Sequence, residues 1–394
     1  LSQIPLLIMS DAVTSSTGLG RVTRDLAGRI HEHLSEVFEV AVFGYGGTNS
    51  YTIPYKQFPV RRIDNWVLPE LPWVWNDFSQ GRQGILLAIW NPGWLPWLAD
   101  PSTLPPCGLR TFLESKPFEK WIYAPIDAEG WEGGLPEKVT EILGGFDRIL
   151  HYSDWSATID GDDRRRDWLP HGIDTSVFYP RNPRAVRQNF IESVSGRHAK
   201  PISDDVKIIG IIATNSGRKD WGLGFEACAR LREQGHNIGI WAHTDLFQKH
   251  WDLVQMANEF GLANRVIFTN GFLSDETMAM AYSGCDLTFA IGAGEGFGFP
   301  IAESLACGTP VIHGNYGGGA DMVPTPCLVA PRAWKWDGGM YINRRPVYSA
   351  FEWAEIAAEV LKVEKSGDSL LDLDFSWDEL WPKWQAWLEE GVNG

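Results

Sequence analysis

The chain has 394 residues, 44% hydrophobic and 21% charged, with a formal net charge of −16. This length exceeds what one hydrophobic core usually organises, so two domains are expected, and the acidic balance disfavours binding nucleic acid by bulk electrostatics. No apolar run approaches the roughly 18 residues of a membrane span. Five cysteines without a CxxC pair argue against a disulfide framework or a zinc site and are expected to be buried free thiols.

In chain order, residues 4–9 read as a first strand and not as a secretion signal, which makes the cytoplasm the expected location. Val22, Leu26, Ile30 and Leu34 then recur at a four-residue step, one face of a helix. The basic residues Arg21, Arg24 and Arg29 on that helix leave peripheral membrane contact open beside an ordinary solvated face. Further strands are predicted at 37–43, 85–89, 121–124 and 148–152. Strands separated by helices imply βαβ units and a parallel sheet. Trp66, Trp73, Trp75, Trp90, Trp94 and Trp97 crowd a Pro-rich stretch, either as a platform that stacks on sugar rings or bases or as core and loop anchors. Asp160-Gly-Asp162 has the spacing of a metal-binding DxD but reads as solvated loop before three arginines. Residues 181–204 are polar and lack periodicity, as a linker does. The alternation then restarts, with strands at 207–213, 238–242, 266–269 and 287–291 and helices at 222–233, 253–260 and 275–282. Two α/β, Rossmann-like domains in tandem are expected, with strand C-termini facing each other across a cleft.

The densest signal is Gly292-Ala-Gly-Glu295-Gly296-Phe297-Gly298-Phe-Pro300-Ile-Ala-Glu303-Ser-Leu-Ala-Cys-Gly308-Thr-Pro310-Val-Ile. It reads as a strand, a glycine-rich loop, a short helix and another strand. Pro300 suits the first helical position, Gly308 suits the C-terminal cap, and Pro310 blocks continuation. The helix aims its free N–H groups back at the loop, an anion site that the glycines let a diphosphate approach. Glu295 on the loop and Glu303 about one turn into the helix can face one pocket, where a carboxylate accepts hydrogen bonds from a pair of sugar hydroxyls. A glycine loop alone is a generic phosphate site; the spaced carboxylates and the punctuation together are more specific. Upstream, Asn215-Ser-Gly-Arg218-Lys219-Asp places two cations after a strand, where developing phosphate charge needs support. Gly18-Leu-Gly20-Arg is no dinucleotide fingerprint, because Thr23 stands where a third Gly or Ala is expected.

Glu295 to Glu303 resembles the E-x7-E motif of retaining glycosyltransferases with the GT-B fold, and residues 306–312 sharpen the likeness to glycosyltransferase family 4. The resemblance extends over most of the chain. Leu169-Pro-His171-Gly-Ile-Asp174 resembles the turn that ends the family's N-terminal domain. Asn264-Arg-Val-Ile-Phe268 with Gly271 resembles the strand leading to the base pocket. Phe375-Ser-Trp377 resembles the start of a C-terminal helix that returns to the first domain.

The resemblance implies an N-terminal acceptor domain over 1–180, a linker over 181–204, a nucleotide-sugar donor domain over 205–375, and a tail at 376–394 crossing back. It implies a retaining hexosyltransferase whose donor is a nucleotide-diphosphate sugar, with a UDP-sugar favoured over a GDP-sugar and no metal required. Glu295 would contact the donor sugar and Glu303 the ribose. Gly296, with the N–H groups of Phe297 and Gly298, would meet the diphosphate, and Arg218 and Lys219 would clamp it. Asn215 and Phe272 would line the donor site, and Gly18 and Gly20 would let the first loop approach the sugar. The family's usual histidine after an N-terminal strand is missing; Asp127 stands there as the candidate polar group or as a loop cap. His243 reads as structural. The acceptor is open among glycan, lipid, protein and modified nucleic-acid base. An epimerase on the same fold and a non-catalytic nucleotide-sugar-binding protein are the alternatives.

Overall fold

The structure, a computed structural model, describes residues 3–47, 52–162, 167–195, 203, 205–246 and 250–393. The chain divides into two compact units. One comprises 1–170, 337–343 and 383–394, the other 171–336 and 344–382.

The first unit is built on six strands: β1 (Ile4–Asp11), β2 (Phe38–Tyr45), β3 (Lys56–Pro59), β4 (Ile85–Ala88), β5 (Glu119–Ala124) and β6 (Arg148–His151). They run parallel in the order β3-β2-β1-β4-β5-β6. That is the doubly wound Rossmann order, which reverses direction between β1 and β4. Leu6, Leu7, Ile8 and Met9 are fully buried, as expected of a strand covered by helices on both faces. Register places Asp11 opposite Tyr45, so the last residues of β1 and β2 meet at the C-terminal edge of the sheet.

The second unit repeats the plan with β7 (Lys207–Ile212), β8 (Ile238–His243), β9 (Val266–Thr269), β10 (Leu287–Ala290), β11 (Val311–Gly314) and β12 (Leu328–Val329). Their order is β12-β11-β10-β7-β8-β9, all parallel, with the reversal between β7 and β10. A two-stranded sheet, β13 (Ala333–Asp337) with β14 (Asn343–Val347), follows β12.

Several expectations are corrected. The first unit ends at Pro170, not at 180, because the next segment is tied to the late chain: Ile173 N–H donates to the Phe375 carbonyl at 2.9 Å, and the Ile173 carbonyl accepts from Trp377 N–H at 3.2 Å. His171 is edge-on to Phe299 and Trp377 at 4.9 and 4.7 Å. The expected linker contains a helix, Pro183–Ser195, packed on the helix Asp275–Gly284. Its Arg187 binds the Gly284 carbonyl and Asp286, and its Phe190 meets Trp241 at 5.2 Å. Asp160 is not in a solvated loop; it ends a helix, fully buried against His151 Nε2 at 3.0 Å. The three arginines after Asp162 lie outside the described residues. Cys228, Cys285 and Cys307 are buried, Cys327 is half-buried, and Cys107 is exposed. Among the described residues no helix is long and apolar enough to cross a membrane.

The last helix, Trp377–Asn393, contributes residues to both units. Within the first, Trp384 stands edge-on to Tyr123 and donates to the Pro170 carbonyl, while the Arg148 guanidinium lies 4.1 Å from the Trp387 ring.

Candidate functional site

In the second unit the loops after β7 and β10 leave the sheet at its reversal point, where open α/β sheets bind ligands. The two loops are stitched together. Lys219 pairs antiparallel with Gly292, Ala293 N–H donates to the Arg218 carbonyl at 3.1 Å, and Asp220 N–H donates to Ile291 at 3.1 Å. Asp220 also caps the helix Trp221–Glu233 through Leu223 N–H, so the cationic pair sits on a backbone fixed at both ends.

That backbone brings Glu295, Lys219 and Arg218 together. Lys219 Nζ binds Glu295 Oε1, Arg218 Nη1 lies 3.4 Å from Oε2, and Arg218 also donates to the Gly294 carbonyl. Burial pushes the Glu295 carboxyl upward, but Lys219 and then Arg218 outweigh it and hold it at about 2. The group is therefore an ionised carboxylate at every physiological pH. Gly292 makes room for it, since a Cβ there would stand 2.2 Å from Oε1. The loop is braced from behind. Gly318 N–H donates to the Glu295 carbonyl at 2.9 Å, and Arg345, buried on β14, donates to Ala293 at 3.1 Å. His313, buried at the end of β11, donates from Nδ1 to Ala290; burial lowers its pKa.

Gly298, with φ +95°, turns the loop into the helix Phe299–Ala306. Pro300 is the second residue of that helix and not the first, and Gly308 follows its C-terminus at φ +70°. Among the described residues no side chain caps this helix, and its N-terminus carries the partial positive charge that favours an anion. Phe297 is buried, and Glu303 is buried in the second turn at 5% exposure.

Other expected residues fall elsewhere. The Asn215 amide is engaged at both ends by the Trp251 backbone, at 2.9 and 3.0 Å, which gives it a loop-bracing role. Phe272 is 71% exposed after β9, an outer strand of the sheet. His243 Nδ1 meets Thr269 Oγ1 at 2.8 Å, in keeping with the structural reading. Gly18, Gly20 and Asp127 belong to the first unit. Gly18 opens the first helix, whose N-cap Thr17 accepts from Gly20 N–H at 3.0 Å. A Cβ on Gly20 would stand 2.7 Å from the Ser15 carbonyl, so close packing requires glycine there. Asp127 is half-buried after β5, and Glu129, two residues on, is the more deeply buried acid. Sequence reasoning missed Arg345 and His313. Neither lies in a recognisable spacing; the two adjacent arginines before Pro346 were the one available cue.

Residues 197–325 match the family described as glycosyl transferases group 1. The D-inositol 3-phosphate glycosyltransferase of Mycolicibacterium smegmatis is 27% identical over 222 residues, covering 55% of this chain and 45% of that protein. The MMP alpha-(1->4)-mannosyltransferase of Mycolicibacterium hassiacum is 25% identical over 216 residues, covering 50% of this chain and 47% of its own. The chain thus spans about half the length of the curated relatives it matches. Anabaena HepE, crystallised with UDP and glucose, superposes with a TM-score of 0.69 at 14% identity, covering 98% of this chain and all of its own. Sucrose-phosphate synthase from Thermosynechococcus elongatus gives 0.67 at 14% identity over the whole of both chains. Residues 197–325 thus resemble the glycosyl transferases group 1, and the chain has the GT-B fold.

Proposed function

We propose that the chain is a retaining glycosyltransferase that moves a hexose from a nucleotide-diphosphate sugar, a UDP-sugar foremost, to an acceptor hydroxyl. The observation that carries this reading is the ionised Glu295 held by Lys219 and Arg218 beside an uncapped helix N-terminus, at the reversal point of the second sheet. The complexes of Anabaena HepE with UDP and with UDP-glucose support the choice of donor.

The bond between the anomeric carbon and the diphosphate oxygen breaks, and negative charge collects on the leaving diphosphate. Lys219, Arg218 and the helix N-terminus stabilise that charge without reorganising, which is where such sites gain most of their rate. The acceptor oxygen bonds to the anomeric carbon from the face the diphosphate leaves, and its proton passes to a diphosphate oxygen, so no side-chain base is required. Glu295 accepts from sugar hydroxyls and orients the ring, while Glu303 holds the ribose.

The test is incubation without acceptor against UDP-, GDP- and ADP-sugars. Slow release of nucleoside diphosphate from one donor, abolished in Glu295→Ala, is expected. Conversion of the sugar with no diphosphate released would instead identify an epimerase, and binding with neither outcome a non-catalytic receptor.

A further inference from the structure

The first unit holds a second constellation at its own reversal point. Asp64 and Val67 exchange both backbone hydrogen bonds at 3.0 Å, closing a two-residue turn on Asn65 and Trp66. Both central residues have positive φ, +48° and +69°. Such a turn favours Asn-Gly, and here a tryptophan occupies the glycine position. Of the three other positive-φ residues that are not glycine, Gln80 and Lys116 follow helix ends, where this conformation is ordinary, and Glu132 lies in the short turn Trp131–Gly133. Trp66 caps no helix. Its ring stacks on Trp94 at 4.1 Å and 6°, with Tyr45 and Trp90 near-perpendicular at 6.1 Å each. Trp75, Trp90 and Trp97 fill the core, whereas Trp66 and Trp94 are half-buried and Tyr45 is 37% exposed. Trp90 Nε1 donates to Asp11 at 3.1 Å, anchoring the cluster where β1 and β4 diverge. A bulky side chain held in an unfavourable backbone conformation, half-exposed where such sheets take ligands, marks a recognition surface.

We infer that the Trp66–Trp94 stack is the acceptor platform and that the acceptor it takes is a neutral saccharide. The inference rests on the glycosyltransferase reading and adds the acceptor class to it. An indole face packs against the C–H face of a sugar ring. Asp11 at the end of β1, which accepts from Thr17 and from Trp90, and Asp127 and Glu129 after β5 give this edge of the sheet a negative charge that suits a neutral ligand and repels a phosphate. Of the two exposed arginines beside the turn, Arg62 is paired with Asp64 at 2.6 Å, so Arg61 faces three carboxylates at the strand ends. A nucleic-acid or sugar-phosphate acceptor is therefore disfavoured.

The experiment is saturation-transfer NMR on the intact protein with maltotriose, cellotriose and mannotriose. Glucose 6-phosphate and a single-stranded DNA oligonucleotide serve as contrasting probes, and thermal stabilisation by UDP is measured in parallel. A neutral trisaccharide should receive saturation on its ring C–H protons. Trp66→Gly, which gives the turn its favoured residue, should weaken that binding about tenfold or more, the loss of one stacked ring, without lowering Tm or the UDP response. Binding of none of the three, binding indifferent to Trp66→Gly, or binding of the anionic probes alone overturns the inference. Loss of the UDP response in the unmodified protein would instead count against the donor reading.

Discussion

At the residue scale the proposed chemistry rests on charge held in place before any substrate arrives. Lys219 is fixed by its backbone pairing with Gly292 and by its bond to Glu295, so it need not be recruited during reaction. Lys219→Ala is expected to lower turnover by about two to three orders of magnitude, the usual loss of a preorganised electrostatic stabiliser; single-turnover kinetics with the preferred donor checks this. A near-normal rate would remove Lys219 from the clamp. Glu295 carries a pH signature. Its carboxyl sits at about 2 against an ordinary 4.5, so the stabilisation it contributes is complete above about 4.5 and is lost as pH falls through 2. Chemical unfolding at stepped pH should show stability declining across that window, with a shallower decline in Glu295→Gln. Trp66 is a residue-scale exception of another kind, since a non-glycine in this region costs about 1–3 kcal/mol that the rest of the fold must offset.

Regular periodicity made most elements legible. The four-residue apolar step before Leu34 became the helix Gly18–His33, and all ten strands expected in the two halves are present with ends shifted by a residue or two. The glycine–proline punctuation located the helix Phe299–Ala306, because Gly298 and Gly308 both need left-handed backbone. What escaped was short or stabilised by distant partners. β3 has one buried residue, Phe58, and so shows no alternation. The helix Pro183–Ser195 has a polar sequence whose Arg187 and Phe190 find partners about a hundred and about fifty residues away, which local pattern cannot report. β13 and β14 stabilise each other, and with them Arg345 entered the site unannounced. The tail shows how an element can be tested on its own. Trp384 is fully buried, edge-on to Tyr123. Trp384→Ala should destabilise the first unit by about 3–5 kcal/mol, as large aromatic truncations in cores do. Urea unfolding measures this, and a loss below about 1 kcal/mol would mean the tail does not brace the sheet.

At the scale of the molecule, one strand order is used twice, and each copy gathers polar and aromatic residues at its own reversal point. The two clusters differ in sign. The second unit presents cations and a helix N-terminus around Glu295, and the first presents Asp11 against an aromatic cluster with further carboxylates after β5. An overall charge of −16 hides this division, and composition alone therefore understated the anion site. Glu295, Lys219, Arg218 and the glycine loop were readable because they lie close together along two short stretches. The Trp66–Trp94 stack was visible only as a cluster of tryptophans, since its geometry depends on a turn conformation that Asn-Trp does not announce.

The central claim is that the second unit is a nucleotide-sugar site built on Glu295, Lys219 and the helix Phe299–Ala306. It is tested most directly by calorimetric titration of the intact protein with UDP and UDP-glucose, repeated on Lys219→Ala. Saturable one-to-one binding of both ligands, markedly weakened in the variant, is the expected result. No heat from either ligand, with GDP and ADP equally silent, would contradict the account.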